Sequence, residues 1–368
     1  MSQYDENIKS RDIKDSRPKK KNKVAKVLLT IGIVIIVLLI IAAIVLGVLI
    51  YKGRKAALSG NSDVQVDVPQ SYQTDTASDV SGDYVYHDGK KYKYNDKITT
   101  VLFAGIDKKL EDYEKQDYVA GGQADCIFVV ALDTETGKYK MIAVSRDSMV
   151  DVNVLGDKGY FHGTDKLQLC LAYGYGDGKQ RSIDNLKKSV SRLFFGIPVN
   201  SYMIFDLDVI PILNDQVGGV EVTVNEDLSN RDPALYEGAN VVLNGEQAET
   251  FVRARDIYGD ANQNNLRMER QKIYLTSFLK DALRMTKEDI KTPINMYNSC
   301  KDYTQTDIDV SLMAYYTEIF VKTGFDAERD MMKVPGNAVT NGQYAEYYVD
   351  NDEFFKMILE IYYKVVTE

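Results

Sequence analysis

Histidine and cysteine, which often build catalytic and metal sites, are scarce in this chain of 368 residues. It has two histidines, His87 and His162, so neither a metal site held by several histidines nor a histidine-based triad is expected. The three cysteines, Cys126, Cys170 and Cys300, are odd in number and far apart, and they provide no disulfide framework and no zinc spacing. Cys126 falls within an apolar strand pattern and is expected to be a small buried hydrophobe.

Beyond the N-terminal part of the chain, acidic residues outnumber basic ones. The formal net charge is -9, residues 1–26 carry a net of +5 and residues 52–55 add +3, which leaves -17 for residues 60–368. A body this acidic repels nucleic acid, which is bound through neutralisation of its phosphates. No nucleic-acid partner is expected, and a transcriptional regulator is the least favoured class of function.

Long hydrophobic runs are absent except for residues 27–50, which carry no charge. At 1.5 Å per residue a helix of this length crosses a hydrocarbon core of about 30 Å with some tilt. The run is longer than the apolar region of a cleaved signal peptide. Because the tail before it is basic, we predict a cytoplasmic N-terminus and a single-pass protein of the cell membrane with an extracellular C-terminal domain.

These features divide the chain into four predicted parts. Residues 1–26 are a cytoplasmic basic tail, and residues 27–51 are a transmembrane helix in the lipid bilayer. Residues 52–96 are rich in Ser, Asp, Gly and Tyr, and they are predicted to be an extracytoplasmic linker that lets the folded domain stand off the membrane. Residues 97–368 are the predicted folded domain.

Short apolar runs alternate with helical patterns in that domain, which is typical of an α/β fold with a central sheet flanked by helices. Strands are predicted at 98–106, 126–132, 138–145, 201–205, 220–224 and 331–334. Helices are predicted at 183–194, 207–213, 265–284, 309–322 and 352–366, with a further one starting at 243. The glycines at 174–178 lack the Lys-Ser/Thr ending of a nucleotide-binding loop and indicate an ordinary turn, as does the segment 335–337.

One pair of predicted strands brings two charged residues together. The segments 126–132 and 138–145 are joined so closely that they must be antiparallel neighbours. Asp125 precedes the first strand and Arg146 follows the second. A carboxylate and a guanidinium are therefore expected to meet at the open end of this hairpin.

The window 253–271 contains four arginines and no lysine, although lysine is the commoner cation elsewhere in the chain. Arginine presents a planar fork of donors that binds a phosphate or carboxylate at two points. Arg267, Arg270 and Gln271 have the spacing of one helix face, and we expect them on a different face from the apolar residues of the helix, which are Met268, Leu275, Leu279 and Ala282. Arg253 and Arg255 share one side only if the backbone there is extended. The alternative is a solvated charged surface.

Taken together, the polar residues at the ends of the predicted elements suggest phosphate chemistry. Two carboxylates, Asp107 and Asp125, could hold one Mg²⁺ whose remaining ligands are phosphate oxygens. Arginines could hold a pyrophosphate and stabilise the charge that develops as a P–O bond breaks. The alternative is that these residues simply pair with one another as surface salt bridges.

The chain resembles the LytR–CpsA–Psr (LCP) family of cell-wall glycopolymer ligases over roughly residues 97–275. The matching segments are 101–107, 124–125, 144–147, 165–167 with 172–173, 217–220, 243–248, 253–255 and 267–271. The resemblance implies an α-β-α sandwich with a central mixed sheet and an apolar lipid tunnel, preceded by one transmembrane helix. It also implies a Mg²⁺-dependent phosphotransferase that attaches a glycopolymer from an undecaprenyl-pyrophosphate carrier to peptidoglycan.

The resemblance assigns roles by position. Asp107 and Asp125 match the metal-associated carboxylates and, with Arg146 and Arg255, form the predicted catalytic set. The predicted pyrophosphate-binding set is Arg146, Lys166, Arg253, Arg255, Arg267, Arg270 and Gln271. Asp107 is also a candidate proton acceptor for the acceptor hydroxyl.

Two positions depart from the family pattern. Gln123 stands where arginine is usual, and Asn264 stands where aspartate is usual. The first change removes a cation and the second a possible base or metal contact. The alternative function is therefore a catalytically weak scaffold of the same fold that binds polyprenyl pyrophosphate.

Overall fold

The computed structural model describes residues 21–59, 66–68, 84–107, 122–156, 159–206, 208–254, 262–341 and 344–366. The chain divides into two compact units, residues 1–48 and residues 49–368. A long helix, α1 (Lys21–Ala57), begins in the first unit and ends in the second. Residues Val37–Ala57 of α1 have a mean hydropathy of 2.2 and are long enough to cross a membrane, which fits the predicted single-pass anchor.

The strands of the second unit are β1 (Tyr84–His87), β2 (Lys90–Tyr94), β3 (Ile98–Ile106), β4 (Ala124–Asp133), β5 (Tyr139–Val144), β6 (Met149–Leu155), β7 (Phe161–Gln168), β8 (Ser201–Phe205), β9 (Val220–Thr223), β10 (Asn240–Leu243), β11 (Thr304–Thr306), β12 (Met331–Lys333), β13 (Gly336–Asn341), β14 (Tyr344–Val349) and β15 (Tyr363–Val365). Its helices are α2 (Leu171–Gly174), α3 (Gln180–Leu193), α4 (Val209–Gln216), α5 (Gly245–Arg253), α6 (Asn262–Glu288), α7 (Thr292–Cys300), α8 (Val310–Thr323), α9 (Ala327–Asp330) and α10 (Asn351–Tyr362).

A six-stranded mixed sheet forms the centre, in the order β11-β8-β3-β4-β5-β12. Strands β3, β4 and β5 are consecutive antiparallel neighbours, whereas β8 runs parallel to β3 and β12 runs parallel to β5. The predicted α/β class with a mixed sheet is confirmed.

Strand alternation divides the sheet into two faces. The side chains of Leu102, Ala104, Ile127, Val129 and Ile142 join the largest apolar cluster, to which α3 and α10 contribute Ile183, Leu186, Phe354 and Phe355. The opposite face, which includes Val101, Phe103 and Leu132, packs against α8. A third apolar cluster lies among β9, α5 and α6 and contains Val220, Phe251 and Tyr274.

Several sequence-based boundaries differ from the structure. Strands β1 and β2 lie within the predicted linker, and β2 pairs with β15, so the folded domain starts before residue 97. This pairing joins the two ends of the domain, which a local reading cannot detect. The predicted turn at 335–337 is wrong because Gly336 begins β13, and the last helix ends at Tyr362 instead of 366.

Candidate functional site

A cavity of about 440 Å³ lies against the second face of the central sheet. Its walls are the side chains of β3, β4 and β5 on one side and those of α4, α6 and α8 on the other. Along β4 it extends from Asp125 to Leu132, a distance of roughly 23 Å at the usual rise of a strand. Most lining residues are apolar, and the charged ones are Asp125, Asp206, Arg253 and Arg267.

A β-bulge directs Asp125 into this cavity. Gly105 pairs with Cys126 and the next residue, Ile106, pairs with Ala124, so Asp125 is the extra residue of β4. Regular alternation would place Asp125 on the core face with Ile127 and Val129. The bulge brings it to the cavity face beside Cys126, and bulges often redirect a side chain in this way next to functional sites.

The carboxylate of Asp125 is shared by two arginines. Its Oδ1 accepts a hydrogen bond from Nη1 of Arg146, and its Oδ2 lies 3.6 Å from Nη1 of Arg267. The predicted meeting of Asp125 and Arg146 is therefore confirmed. Both guanidinium groups are largely withdrawn from solvent, since Arg146 is 8% and Arg267 is 4% exposed. With Asp147, which lies beside Arg146, two guanidinium groups face two carboxylates at this end of the cavity.

Arg146 has further partners that hold its orientation. Its Nη2 donates to Oε1 of Gln123 and to Sγ of Cys170, the latter at 3.0 Å, while its Nε lies 3.4 Å from Asp147. Gln123, the position that departs from the family pattern, thus contacts the guanidinium directly. Sequence reasoning missed Cys170, which no pattern marks because Ala124 and Cys170 become neighbours only in the fold.

Asp107 follows β3 at the same end of the sheet. Its Oδ1 accepts the backbone N–H of Gln123 at 2.6 Å, and its own N–H donates to the carbonyl of Gln123 at 3.0 Å. The side chain is exposed and is not among those lining the cavity. Asp107 and Asp125 are therefore on adjacent strand ends, linked through the short segment that begins at Gln123.

Arg253 lines the cavity from the last turn of α5. This helix begins at a capping box in which the Asn244 side chain accepts the N–H of Gln247 and the Gln247 side chain accepts the N–H of Asn244. The side chain of Arg253 is 45% exposed and pairs with Glu249 one turn earlier. A surface pair of this kind is weak, so Arg253 is available to a stronger anion.

One face of α6 supplies the remaining polar residues together with much of the apolar wall. Arg267, Gln271, Leu275 and Leu279 recur at helical spacing and all line the cavity. The expectation that Leu275 and Leu279 occupy a different face from Arg267 and Gln271 is wrong. This face changes from polar to apolar along the length of the helix, and the sequence reasoning separated the residues by polarity although their spacing of four places them on one face.

Arg270 faces the protein interior and is 1% exposed. It forms an ion pair with Glu226, and it donates to the carbonyl oxygens of Phe251, at 2.7 Å from Nε, and Ala254. Burial lowers the pKa of Arg270 to about 10, so it is still charged at neutral pH. The structure therefore does not bring Arg270 to the cavity with Arg267, and the phosphate-binding role assigned to it stays a prediction.

The structure does not show the remaining residues of the sequence analysis, Lys166, Arg255 and Asn264, at the cavity. Lys166 is exposed on β7, opposite Asp151 of β6, and it is not among the residues lining the cavity. Arg255 and the side chain of Asn264 lie outside the described residues. Sequence reasoning missed Asp206, a buried residue that follows β8 and lines the cavity. Its position after a strand next to β3 is the same signal that singled out Asp107.

Burial controls the ionisation of the groups around the cavity. Desolvation raises the pKa of the Cys126 thiol to about 12, although Arg267 nearby acts in the opposite direction. It also raises the pKa of Cys170 and of Tyr274 above their usual ranges. These groups are neutral at pH 7, so the charge of the site comes from its arginines and carboxylates.

Carboxylate oxygens are the donors that suit Mg²⁺, and Asp107 and Asp125 provide them from neighbouring strand ends. Among the described residues no group of three or more His, Cys, Asp or Glu side chains is arranged to hold a metal. The carboxylates present therefore fit Mg²⁺ only where phosphate oxygens and water complete its coordination, which is its common arrangement with phosphate substrates.

Comparison with known proteins agrees with this architecture. The chain is 25% identical over 299 residues to the polyisoprenyl-teichoic acid–peptidoglycan teichoic acid transferase TagV of Bacillus subtilis, an alignment that covers 76% of this chain and 69% of TagV. It is 25% identical over 276 residues to the transferase of the same description, TagU, of Bacillus cereus, which covers 70% and 80% of the two chains.

The fold is that of solved relatives. The crystal structure of B. subtilis TagV matches with a TM-score of 0.54 and 24% identity over 72% of this chain and 96% of that one. TagT bound to LIIa-WTA matches with a TM-score of 0.52 and 18% identity, covering 72% and 89%. The model of the LytR_cpsA_psr family matches residues 60–361, which include the central sheet and the cavity. The chain therefore belongs to the LytR_cpsA_psr family.

Proposed function

We propose that this protein is a membrane-anchored phosphotransferase that attaches a glycopolymer, carried on undecaprenyl pyrophosphate, to peptidoglycan. The observation that carries the proposal is a long apolar cavity that ends at a cluster of arginines. A molecule that fits both parts has an extended hydrocarbon chain and a compact anionic group at one end. A polyprenyl diphosphate has this chemistry, and the relatives TagV and TagU are named as transferases acting on polyisoprenyl-linked teichoic acid.

The proposed role of the arginines follows from their present partners. Arg146 and Arg267 share the carboxylate of Asp125, Arg146 also lies beside Asp147, and Arg253 has a surface partner in Glu249. A diphosphate would compete with these carboxylates for the guanidinium groups, most readily for that of Arg253, whose pair with Glu249 is exposed. Bidentate arginine–phosphate contacts are strong where water is excluded, and Gln271 would add an amide donor. Arg255 belongs to this proposed set by its position in the sequence.

In the proposed reaction a hydroxyl of peptidoglycan attacks the phosphorus that bears the glycopolymer. A P–O bond to the acceptor forms as the bond to the carrier phosphate breaks, and polyprenyl monophosphate leaves. Asp107, exposed after β3 and bonded to the backbone of Gln123, is the proposed acceptor of the hydroxyl proton. Arg146 and Arg267 hold the phosphate oxygens in place and balance their charge. Mg²⁺, when held by Asp107 and Asp125, would supply further charge neutralisation.

The test is transfer in vitro with the full chain, a lipid-pyrophosphate-linked sugar, a peptidoglycan oligomer and Mg²⁺. We expect sugar to appear on peptidoglycan and polyprenyl phosphate to be released in equal amounts. Absence of transfer under conditions in which TagV is active would contradict the proposed activity.

A second candidate function is a scaffold that binds the lipid-linked diphosphate without transferring it. The contact between Gln123 and Arg146 favours it, because an arginine at this position would add a cation to the site. Restoring the family residues in Gln123→Arg with Asn264→Asp distinguishes the two candidates. If the native chain binds the lipid but transfers nothing, and the double variant gains transfer, the native chain is a weakened enzyme. If the double variant gains no transfer, the scaffold is favoured.

The proposed topology has the catalytic domain outside the cell. The basic N-terminal tail and the apolar part of α1 support this orientation. Protease added to intact cells should degrade residues 84–366 and spare the N-terminal tail, and the reverse pattern would overturn the orientation.

A further inference from the structure

The last turns of α1 are packed against the folded domain. Ile50 is half-buried and Gly53 and Ala57 are buried, whereas Tyr51 on another face is 72% exposed. The spacing 50, 53, 57 defines one face of a helix. In contrast, residues 37–48 of the same helix are exposed. The described part of α1 therefore changes from exposed to packed against the folded domain within about one turn, at the point where its apolar run ends.

Gly53 makes a close backbone approach to α8. A Cβ atom on Gly53 would lie 2.6 Å from the carbonyl carbon of Ser311 and 2.8 Å from Cβ of Tyr315, and it would overlap the carbonyl oxygen of Ser311. Only glycine allows this helix crossing, which resembles the small-residue contacts that bring membrane helices together. The contact fixes the end of α1 on the first turns of α8.

A second contact ties the residues after α1 to the central sheet. The carbonyl oxygen of Ser59 accepts a hydrogen bond from Nδ2 of Asn200 at 3.2 Å. Oδ1 of the same Asn200 accepts the backbone N–H of Thr100 in β3 at 2.7 Å. The end of α1 is thus joined both to α8 and to the sheet, which is inconsistent with a linker that begins at residue 52.

The docked face adjoins the apolar end of the cavity. Ile50 and Ala57 belong to the same apolar cluster as Leu132, Tyr139 and Ile319. Those three residues line the cavity at the end away from Asp125. The uncharged part of α1 ends at Tyr51, so the apolar end of the cavity lies beside the place where the helix emerges from its membrane-compatible segment.

We propose that the docked end of α1 holds the apolar end of the cavity at the membrane surface, so that the polyprenyl tail passes from the bilayer into the cavity along α1. The tail then avoids water, whose contact with an apolar chain grows more unfavourable with each added carbon. The inference rests on the proposed function, because it takes the ligand to be a lipid-linked diphosphate. It adds that Gly53, near the end of α1, positions this helix for the entry of the substrate.

The docking itself is tested by hydrogen exchange on the full chain in detergent micelles. Gly53→Leu should accelerate exchange of the amides in α8 at least tenfold, and the smaller Gly53→Ala should do so to a lesser degree. The matched control is Gly47→Leu in the same helix, since no described atom lies within 4 Å of a Cβ built there. Exchange in Gly53→Leu that equals exchange in the native chain would overturn the docking.

The lipid path is tested with phosphatidylglycerol vesicles that contain an undecaprenyl phosphate with a photoreactive tail. Labelling of peptides from β4 and α6 should be similar in the native chain and Gly47→Leu and at least fivefold lower in Gly53→Leu. A short photoreactive geranyl pyrophosphate, added from water, should label all three equally. Equal labelling of Gly53→Leu from vesicles would overturn the path.

If neither probe labels the native chain, the proposed function fails, while the exchange experiment still decides whether α1 is docked. If the geranyl probe labels the native chain and the vesicle probe labels none of the three proteins, the proposed function stands and the path along α1 is wrong.

Discussion

Arg270 forms a buried ion pair with Glu226 and at the same time donates to two carbonyl groups at the end of α5, those of Phe251 and Ala254. Cations near the last carbonyls of a helix satisfy groups that have no partner within the helix. Arg270 therefore links α6 to the end of α5, and Arg253 at that end of α5 lines the cavity. This arrangement favours a positioning role over direct contact with phosphate.

We expect Glu226→Gln to lower the free energy of unfolding by about 3–5 kcal/mol, because it leaves the buried guanidinium of Arg270 without its ionic partner. Arg270→Lys should also lower it, because the charge remains but the hydrogen bonds to the carbonyl groups of Phe251 and Ala254 are lost. Lysine cannot reproduce the three directions in which the guanidinium donates. Urea denaturation of the full chain in detergent provides the measurement. Arg284→Ala, which breaks only exposed pairs with Asp281 and Glu288, should cost at most about 1 kcal/mol. Native-like stability in Arg270→Lys with weakened lipid binding would instead support contact with phosphate.

Local sequence patterns predicted the contact between Asp125 and Arg146, because this contact depends on a single β-hairpin. The strands β4 and β5 follow each other closely, so the meeting of Asp125 and Arg146 could be inferred from spacing alone. The β-bulge that directs Asp125 into the cavity could not be inferred from spacing. It depends on the register between β4 and β3, which are not joined by a short turn. The same applies to Cys170, whose N–H donates to the carbonyl oxygen of Arg146 and whose carbonyl oxygen accepts the N–H of Ala124, since these segments become neighbours only in the fold.

Residues of α6 illustrate a second limit of sequence reasoning. A charged residue such as Arg270 is normally taken to face solvent or a ligand, and its half-buried partner Glu226 is 44 positions away in the sequence. Likewise, the pairing of β2 with β15 joins segments from the two ends of the domain. Long-range partners of this kind decide which polar residues belong to the cavity and which hold the fold together.

Asp125→Asn should separate binding from transfer. The substitution removes the negative charge shared by Arg146 and Arg267, so affinity for a polyprenyl diphosphate should be unchanged or higher. Transfer should fall by about 100- to 1000-fold, the usual cost of losing one electrostatic element of a site. Lipid binding and transfer are measured on the same preparation.

Asp184→Asn is the control for this substitution, since Asp184 is exposed on α3 and contacts only the neighbouring Gln180 among the hydrogen bonds described for it. It should leave both binding and transfer unchanged. A native rate of transfer in Asp125→Asn would show that this carboxylate has no catalytic role.

The length of the cavity predicts a dependence on chain length. Val130 lies midway along β4 and lines the cavity, so Val130→Phe should fill part of its volume. Affinity for undecaprenyl pyrophosphate should fall at least tenfold, whereas affinity for geranyl pyrophosphate, which needs only the phosphate end, should stay within twofold; a loss of tenfold corresponds to about 1.4 kcal/mol. Val339→Phe, at an exposed position of β13, is the matched control. Equal losses for both ligands would indicate disruption of the fold.

The thiol of Cys126 offers a direct probe of the cavity. Burial raises its pKa to about 12, against 9.0 for an ordinary thiol, so its thiolate is scarce at pH 8 in the folded protein. The difference corresponds to roughly 1000-fold slower alkylation, because only the thiolate reacts. Raising the pH toward 10 should accelerate the reaction in proportion to thiolate, and urea should restore the rate of an ordinary thiol. Mass spectrometry of peptides after iodoacetamide treatment separates Cys126 from Cys170 and Cys300.

Ligand binding should slow the alkylation of Cys126 further, since this residue lines the cavity beside Asp125 at the end where the diphosphate is proposed to bind. Cys300 is buried in α7 and is not among the residues lining the cavity, so its rate should not respond to polyprenyl pyrophosphate and serves as the internal control. A ligand that slows both thiols equally would be stabilising the whole domain. Protection confined to Cys126 would place the ligand in the cavity, and rapid alkylation of Cys126 at pH 8 in the folded chain would contradict the raised pKa of this thiol.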